Sequence, residues 1–228
     1  MRDDGLLSLL PQRLALPRGR SALPQSEVAA SRRGRLLQAT LDEVAAAGYA
    51  ATTVASITKA AHVSRTSFYE AFSDKEEAFA AAHWNASELA LTRVWVPALA
   101  EPGLDFDTRI RRALTAYIRT LESARSFTLC FFVEIRAAGE RLLRQRDEIT
   151  DQHLAILRDL ATTSAAGTDI VVPEVEVLRG LLGALDELVG REVRAQRGNE
   201  RFHLTPVIEP VTALLLAVIH DAPATPRL

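Results

Sequence analysis

Apolar residues recur at intervals of three and four along most of this chain, and apolar/polar alternation is sustained nowhere. From Ser26 to Ala47, the positions Val28, Leu36, Ala39, Val44 and Ala47 fall on a helical period. Gly48 then stands where a left-handed C-terminal residue is expected. Two short helices follow. Thr53 is placed to cap a segment carrying Val54, Ile57, Ala60 and Ala61. Ser64 is placed to cap one carrying Phe68, Ala71 and Phe72. Each hydroxyl offers an acceptor to first-turn amides that have no intrahelical partner. Only His62 and Val63 separate the two. Ser73-Asp74-Lys75-Glu76 opens a fourth helix, with a cap and early acids, expected to run to Val96 and stop before Pro97.

The remainder reads as helical too. Asp105–Glu122 puts Phe106, Ile110, Leu114, Tyr117 and Leu121 on one face, and Phe127–Ala138 is a short apolar helix ending at Gly139. From Glu140 to about residue 164, Leu142, Ile149, Ile156 and Leu160 form a stripe that Arg146 and His153 interrupt. A helix beginning at Pro173 carries Leu178, Leu181, Leu185, Leu188 and Val189 toward Gly198-Asn199. The last starts near Pro206 or Pro210 and ends about His220. The fold class expected is all-α with about nine helices. It divides into an irregular, proline-bearing arm at 1–25, a three-helix head at 26–72 and a larger helical body at 73–228.

Composition changes this picture little. With 48% apolar residues in 228, a sizeable core is available, and the single Cys130 rules out an intrachain disulfide framework. The longest apolar run near the end, Val211–Ile219, is too short for a bilayer. The first residues lack a basic n-region. The expectation is a soluble cytoplasmic protein. Residues 1–72 carry a net +3 and residues 73–228 a net −5, which suits a head that meets nucleic acid.

The informative segment is Thr53–Phe72, TVASITKAAHVSRTSFYEAF. Two capped helices on a tight turn form a helix-turn-helix. The first helix should point Thr53 and its terminal amides at a phosphate. The second should enter the major groove, with Ser64 as cap and Arg65, Thr66 and Ser67 at base edges, arginine suiting guanine. Phe68, Ala71 and Phe72 face inward, while Tyr69 on the outer side and Lys75 beyond would reach phosphates. Gly48-Tyr49, Thr52-Thr53-Val54, Ile57, Ala61-x-Val63-Ser64, Phe68-Tyr69-x-x-Phe72 and Asp74-Lys75-Glu76 together resemble the DNA-binding head of the TetR family, over about residues 26–83. The resemblance implies a homodimer on a palindromic double-stranded DNA operator, repression in most members, and release by a small molecule bound in the body. Two positions depart from the pattern. His62 stands where glycine is common, in a turn that needs a positive φ. Glu70 puts an acid on the reading helix, selecting cytosine, repelling a phosphate, or simply lying solvated beside the groove.

Other signals are weaker. Pro17-Arg18-Gly19-Arg20 in the arm would suit a minor groove, or is simply a tail. For an effector pocket the candidates are Trp84, Tyr117, Phe131, Glu134 and His153, with Trp95 alongside. The plainer reading of each aromatic is core, of His153 a hydrogen-bonded core histidine, and of Glu134 an acid at a helix edge paired to an arginine. Gly180, Gly183 and Gly190 would allow a close helix contact, so the last two long helices are expected to form the dimer face, with Leu185 and Leu215 in it. The sequence has no HExxH, GxSxG, phosphate loop or Rossmann fingerprint. No catalytic residue, metal site or cofactor is therefore expected, and the effector implied is a largely apolar small molecule.

Overall fold

The computed structural model describes residues 25–99, 103–165 and 172–220. The arm, with its Pro17–Arg20 motif, lies outside the described residues apart from Gln25. Among those residues there is no strand. The helices are α1 (Gln25–Ala47), α2 (Val54–Ala61), α3 (Arg65–Tyr69), α4 (Lys75–Ala90), α5 (Val96–Leu99), α6 (Phe106–Ser123), α7 (Arg125–Phe132), α8 (Glu140–Ala165), α9 (Val175–Ala195) and α10 (Ile208–His220). Short 3₁₀ turns occupy Glu134–Ala137 and Thr205–Val207.

The helix expected to carry Phe68, Ala71 and Phe72 ends at Tyr69, with Ala71 and Phe72 in the turn beyond it, and two further expected boundaries move for local reasons. The helix that opens at Lys75 does not stop before Pro97. A π turn, Leu91–Trp95, joins α4 to α5, and the Val96 N–H reaches back to the Leu91 carbonyl. Proline lacks an N–H and its ring crowds the carbonyl four residues back. A turn widened just ahead of Pro97 lets the helix pass through it. The helix expected over Phe127–Ala138 breaks at Val133 (φ −120°, ψ −61°) and resumes as the 3₁₀ turn that begins with Glu134. Gly139, at φ 97°, then redirects the chain into α8.

Packing divides the chain into two units, residues 1–89 with 123–145, and residues 90–122 with 146–228. In the first, α1 packs on α2 and on α7 around Leu36, Leu41, Ile57, Phe68, Phe79 and Leu129. A reciprocal cap starts α4: Glu77 donates its N–H to Asp74 Oδ1 (2.8 Å) and its carboxylate accepts the Ser73 N–H (2.7 Å). The Ser73 bonds hold that carboxyl below its ordinary range. In the second unit, Ile110, Leu114, Ile118 and Leu121 of α6 are buried, as are Leu178 and Val189 of α9. Glu122 caps the turn before α10 by accepting the N–H groups of Leu204 (2.6 Å) and Thr205 (2.8 Å). Leu185 and Leu215 are 5% and 7% exposed, turned into their own protomer's core rather than toward a partner. The apolar side chains that α9 and α10 leave outside include Val177 (43%) and Leu214 (42%).

Candidate nucleic-acid interface

The helix-turn-helix is built by its caps. Thr53 has an extended backbone (φ −128°, ψ 157°). Its Oγ1 accepts the Ser56 N–H (3.1 Å), and Ser56 Oγ accepts the Thr53 N–H (3.2 Å). This reciprocal box satisfies two terminal donors at once. α2 ends at His62, which takes the left-handed conformation (φ 52°, ψ 47°), the backbone that the turn demands and that glycine would adopt at least cost. Ser64 Oγ then accepts the Ser67 N–H (3.0 Å) and caps α3. Phe68 and Phe72, 0% and 2% exposed, anchor the reading helix, each burial stabilising by about 1.5–3 kcal/mol. With that face fixed, Arg65 and Thr66 stand in solvent, and Tyr69 is 51% exposed with its ring edge against Phe68.

Two expected residues have tasks inside the protein. Ser67 is half-buried, its Oγ receiving the Ser64 hydroxyl (3.0 Å) and an Arg32 N–H (3.4 Å). Lys75 donates to the carbonyls of Tyr49 (2.9 Å), Thr52 (2.9 Å) and Ala50 (3.3 Å), and lies 4.6 Å from the Tyr49 ring centre. An ammonium has three protons, and three carbonyls take them. Lys75 thus ties the turn between α1 and α2 to the start of α4. Sequence reading missed Arg32 and Arg33 on α1, which flank α3. They stand in a polar run four and three residues before Leu36, and nothing in that run marks a partner 35 or more residues away.

The pocket candidates divide between the units. Phe131 stacks on His83 (5.0 Å between centroids, 2° between planes), and Glu134 is 5% exposed. Its Oε2 accepts the Tyr49 N–H (2.9 Å), so it is a buried latch on the α1–α2 turn rather than a helix-edge acid. Trp84 is half-buried on α4. Tyr117 and His153 lie in the other unit, where both meet Trp95, with ring centroids at 5.0 and 6.2 Å. Burial pushes the Tyr117 phenol far up and the His153 imidazole down to about 4. Trp95 Nε1 and His153 Nε2 are both buried without a protein hydrogen-bond partner. They flank a tight apolar pocket of about 10 Å³, room for about one water, lined also by Leu91, Ile156, Leu157 and Leu182. In the same unit Arg146 and Asp186 form a mostly buried ion pair, which the interruption of the α8 stripe at Arg146 signals in the sequence. Cys130 is fully buried, its thiol pushed well up and donating to the Leu41 carbonyl (3.5 Å), the state of an inert structural thiol.

Residues 36–82 match the family model of bacterial regulatory proteins of the tetR family. This stretch is similar to that family. The turn at His62, the two caps and the Phe68–Phe72 anchor all fall inside the matched stretch. The matched model describes regulatory proteins, and the likeness lies in the helix-turn-helix stretch. Solved structures extend the likeness of fold to the body. The fatty acid degradation regulator FadR from Bacillus halodurans superimposes with a TM-score of 0.70 at 20% identity, over 81% of this chain and 94% of that one. FadR from Bacillus subtilis, solved in complex with stearoyl-CoA, gives 0.69 at 20% identity over 82% and 98%. A TetR-like transcriptional regulator from Rhodococcus sp. RHA1 gives 0.58 at 19% identity over 87% and 99%. No protein of curated function matches the chain in sequence. Among the described residues no helix is long and apolar enough to cross a membrane, and no group of His, Cys, Asp or Glu is placed to hold a metal ion.

Proposed function

We propose that the protein is a cytoplasmic homodimeric repressor that reads a palindromic operator and leaves it when a small apolar molecule binds the body. The observation that carries the DNA half is the reading helix. Its buried face is locked by Phe68 and Phe72, its cap is closed, and Arg65, Thr66 and Tyr69 are left pointing outward. Arg65 is the base reader and Tyr69 a backbone contact, with Thr53 and the α2 amides at a second phosphate. Lys75, held by three carbonyls, is left out of the contact set. The test is a binding titration on DNA selected by the wild-type protein, against scrambled DNA, at several salt concentrations. Arg65→Ala should lose about 1–3 kcal/mol of discrimination at one base pair. Equal binding of Arg65→Ala and wild type to both DNAs would remove the assignment.

The dimer half rests on the outer faces of α9 and α10. Val177 and Leu214 are exposed, and a Cβ added at Gly180 or Gly183 would meet nothing within 4 Å, so a partner helix has room to approach. Two-fold symmetry would set the two reading helices about 34–36 Å apart, or a further helical turn apart, to match half-sites. The effector half is supported by the unpartnered Trp95 and His153 atoms at a tight apolar pocket of about 10 Å³, which a ligand must open by moving side chains. There its polar end would offset the about 1–3 kcal/mol that a buried polar group without a partner costs. An effector that prefers the DNA-free state weakens operator binding by its differential affinity, typically about 1–3 kcal/mol. Thermal-shift screening of apolar compounds followed by operator competition tests it. Ligands that stabilise the protein yet leave operator affinity unchanged would favour a partner-regulated DNA binder with no effector.

A further inference from the structure

Beside the reading helix, the geometry points to a DNA-backbone contact that lies outside the helix-turn-helix: Arg32 of α1 binds a phosphate in the cleft between α1 and α3. The inference rests on the DNA-binding reading given above. The cleft measures about 300 Å³ and is open to solvent. On the α1 side Ala29 and Ala30 line it with methyl groups, so a sugar–phosphate chain can come close. On the α3 side it is lined by Ser67 and Glu70. This is the flank of α3 that faces α1, next to the groove-entering residues, where a groove wall would stand.

Of the two cations in the cleft, Arg33 is committed elsewhere. Its Nη1 donates to the Ala71 carbonyl (3.2 Å) and its guanidinium lies 4.4 Å from the Phe72 ring centre. Arg32 is held loosely. One nitrogen, Nη1, makes both its 3.4 Å bond to Ser67 Oγ and its 3.8 Å ion pair with Glu70, and the two charged side chains are 37% and 64% exposed. A solvent-exposed pair at that separation is a weak hold. A phosphate offers two oxygens to the arginine fork and binds it more strongly than a monodentate carboxylate. Glu70 alone would repel the DNA at this flank. Arg32 neutralises it in the free protein and turns to the phosphate in the complex.

A double-mutant cycle in the full chain tests this, using Arg32→Gln, Glu70→Gln and the pair, with affinity measured against salt on selected and scrambled DNA. A phosphate contact predicts that removing Arg32 lowers the salt slope by about 0.9 per head, whether Glu70 is present or replaced. Both DNAs should weaken alike, and Arg32→Lys should keep most of the slope. Melting curves confirm that the variants fold. If Arg32→Gln matters only while Glu70 is present, Arg32 merely silences that acid and the phosphate contact is overturned. A wild-type slope in Arg32→Gln overturns it equally, while selective binding by wild type and its loss in Arg65→Ala would leave the reading-helix assignment standing. A wild-type chain that selects no DNA sequence would take down both.

Discussion

Replacing Lys75 separates a structural cation from a DNA contact. Its ammonium makes two bonds of 2.9 Å and one of 3.3 Å to the carbonyls of the turn between α1 and α2, and sits 4.6 Å from the Tyr49 ring centre. A hydrogen bond to a charged group contributes about 1.5–3 kcal/mol when water is excluded. Here the turn is partly open, and the abandoned carbonyls would recover water, so the bonds together are worth about 1–2 kcal/mol. The ring contact adds about 0.5–1 kcal/mol. Lys75→Met keeps the stem and removes the charge, so it should cost about 2 kcal/mol. For a chain of this length that is about 4–8 °C in melting temperature. Calorimetry or thermal circular dichroism reads the loss, and DNA titrations at several salt concentrations should show an unchanged slope. A normal melting temperature with the slope reduced by about 0.9 per head would refute the reasoning and return Lys75 to the phosphate.

Three further outcomes follow from geometry already described. His62→Val places a β-branched residue at φ 52° and should destabilise by at least about 1 kcal/mol in denaturant unfolding, whereas His62→Gly should be tolerated; equal stability of the two would contradict the turn. His153 titrates near 4 in the fold and 6.5 unfolded, so only the unfolded chain gains its proton between those values. Stability should therefore fall as pH drops from 6.5, by about 2 kcal/mol at pH 5, and His153→Gln should flatten that segment; an equally steep profile in the variant would discount the burial. Leu214→Glu, on the outer face, should give folded monomers by light scattering, while Leu215→Glu should unfold the protein; a dimeric, folded Leu214→Glu would place the partner elsewhere.

Local chemistry is readable where one residue type answers one local need. Thr53, Ser64 and Gly48 do what a hydroxyl or a glycine does at those places, and Phe68 and Phe72 are both buried as their four-residue spacing suggests, although α3 ends at Tyr69 and Phe72 is set by the turn that follows it. Reading fails where a side chain answers to something distant. Lys75 binds carbonyls more than 20 residues earlier, and Glu134 binds an amide 85 residues away, so spacing alone suggests a phosphate ligand for the one and a pocket acid or a helix-edge acid for the other. Leu185 and Leu215 sit on stripes that could face either the protomer's own core or a partner, and periodicity marks the stripe without saying which side is outside. Pro97 is an ordinary stop signal that the preceding π turn overrides. The pocket candidates share residue type, and types do not say which packing unit they join.

The first packing unit draws on chain that is made late. Its head ends by residue 89, yet Cys130 reaches Leu41, Glu134 holds Tyr49 and Gln145 donates to the Ala80 carbonyl, all from the 123–145 stretch. On a ribosome adding about 5–20 residues each second, the reading helix and its supports emerge about 3–11 s before the residues that brace them. During that interval the faces of α1 that await α7 are bare, and a nascent or truncated chain ending near residue 90 offers them to any apolar neighbour. An isolated head cut at that point should express poorly and aggregate, and a folding competence that appears only once residue 145 has cleared the exit tunnel would show the bracing to be what completes it.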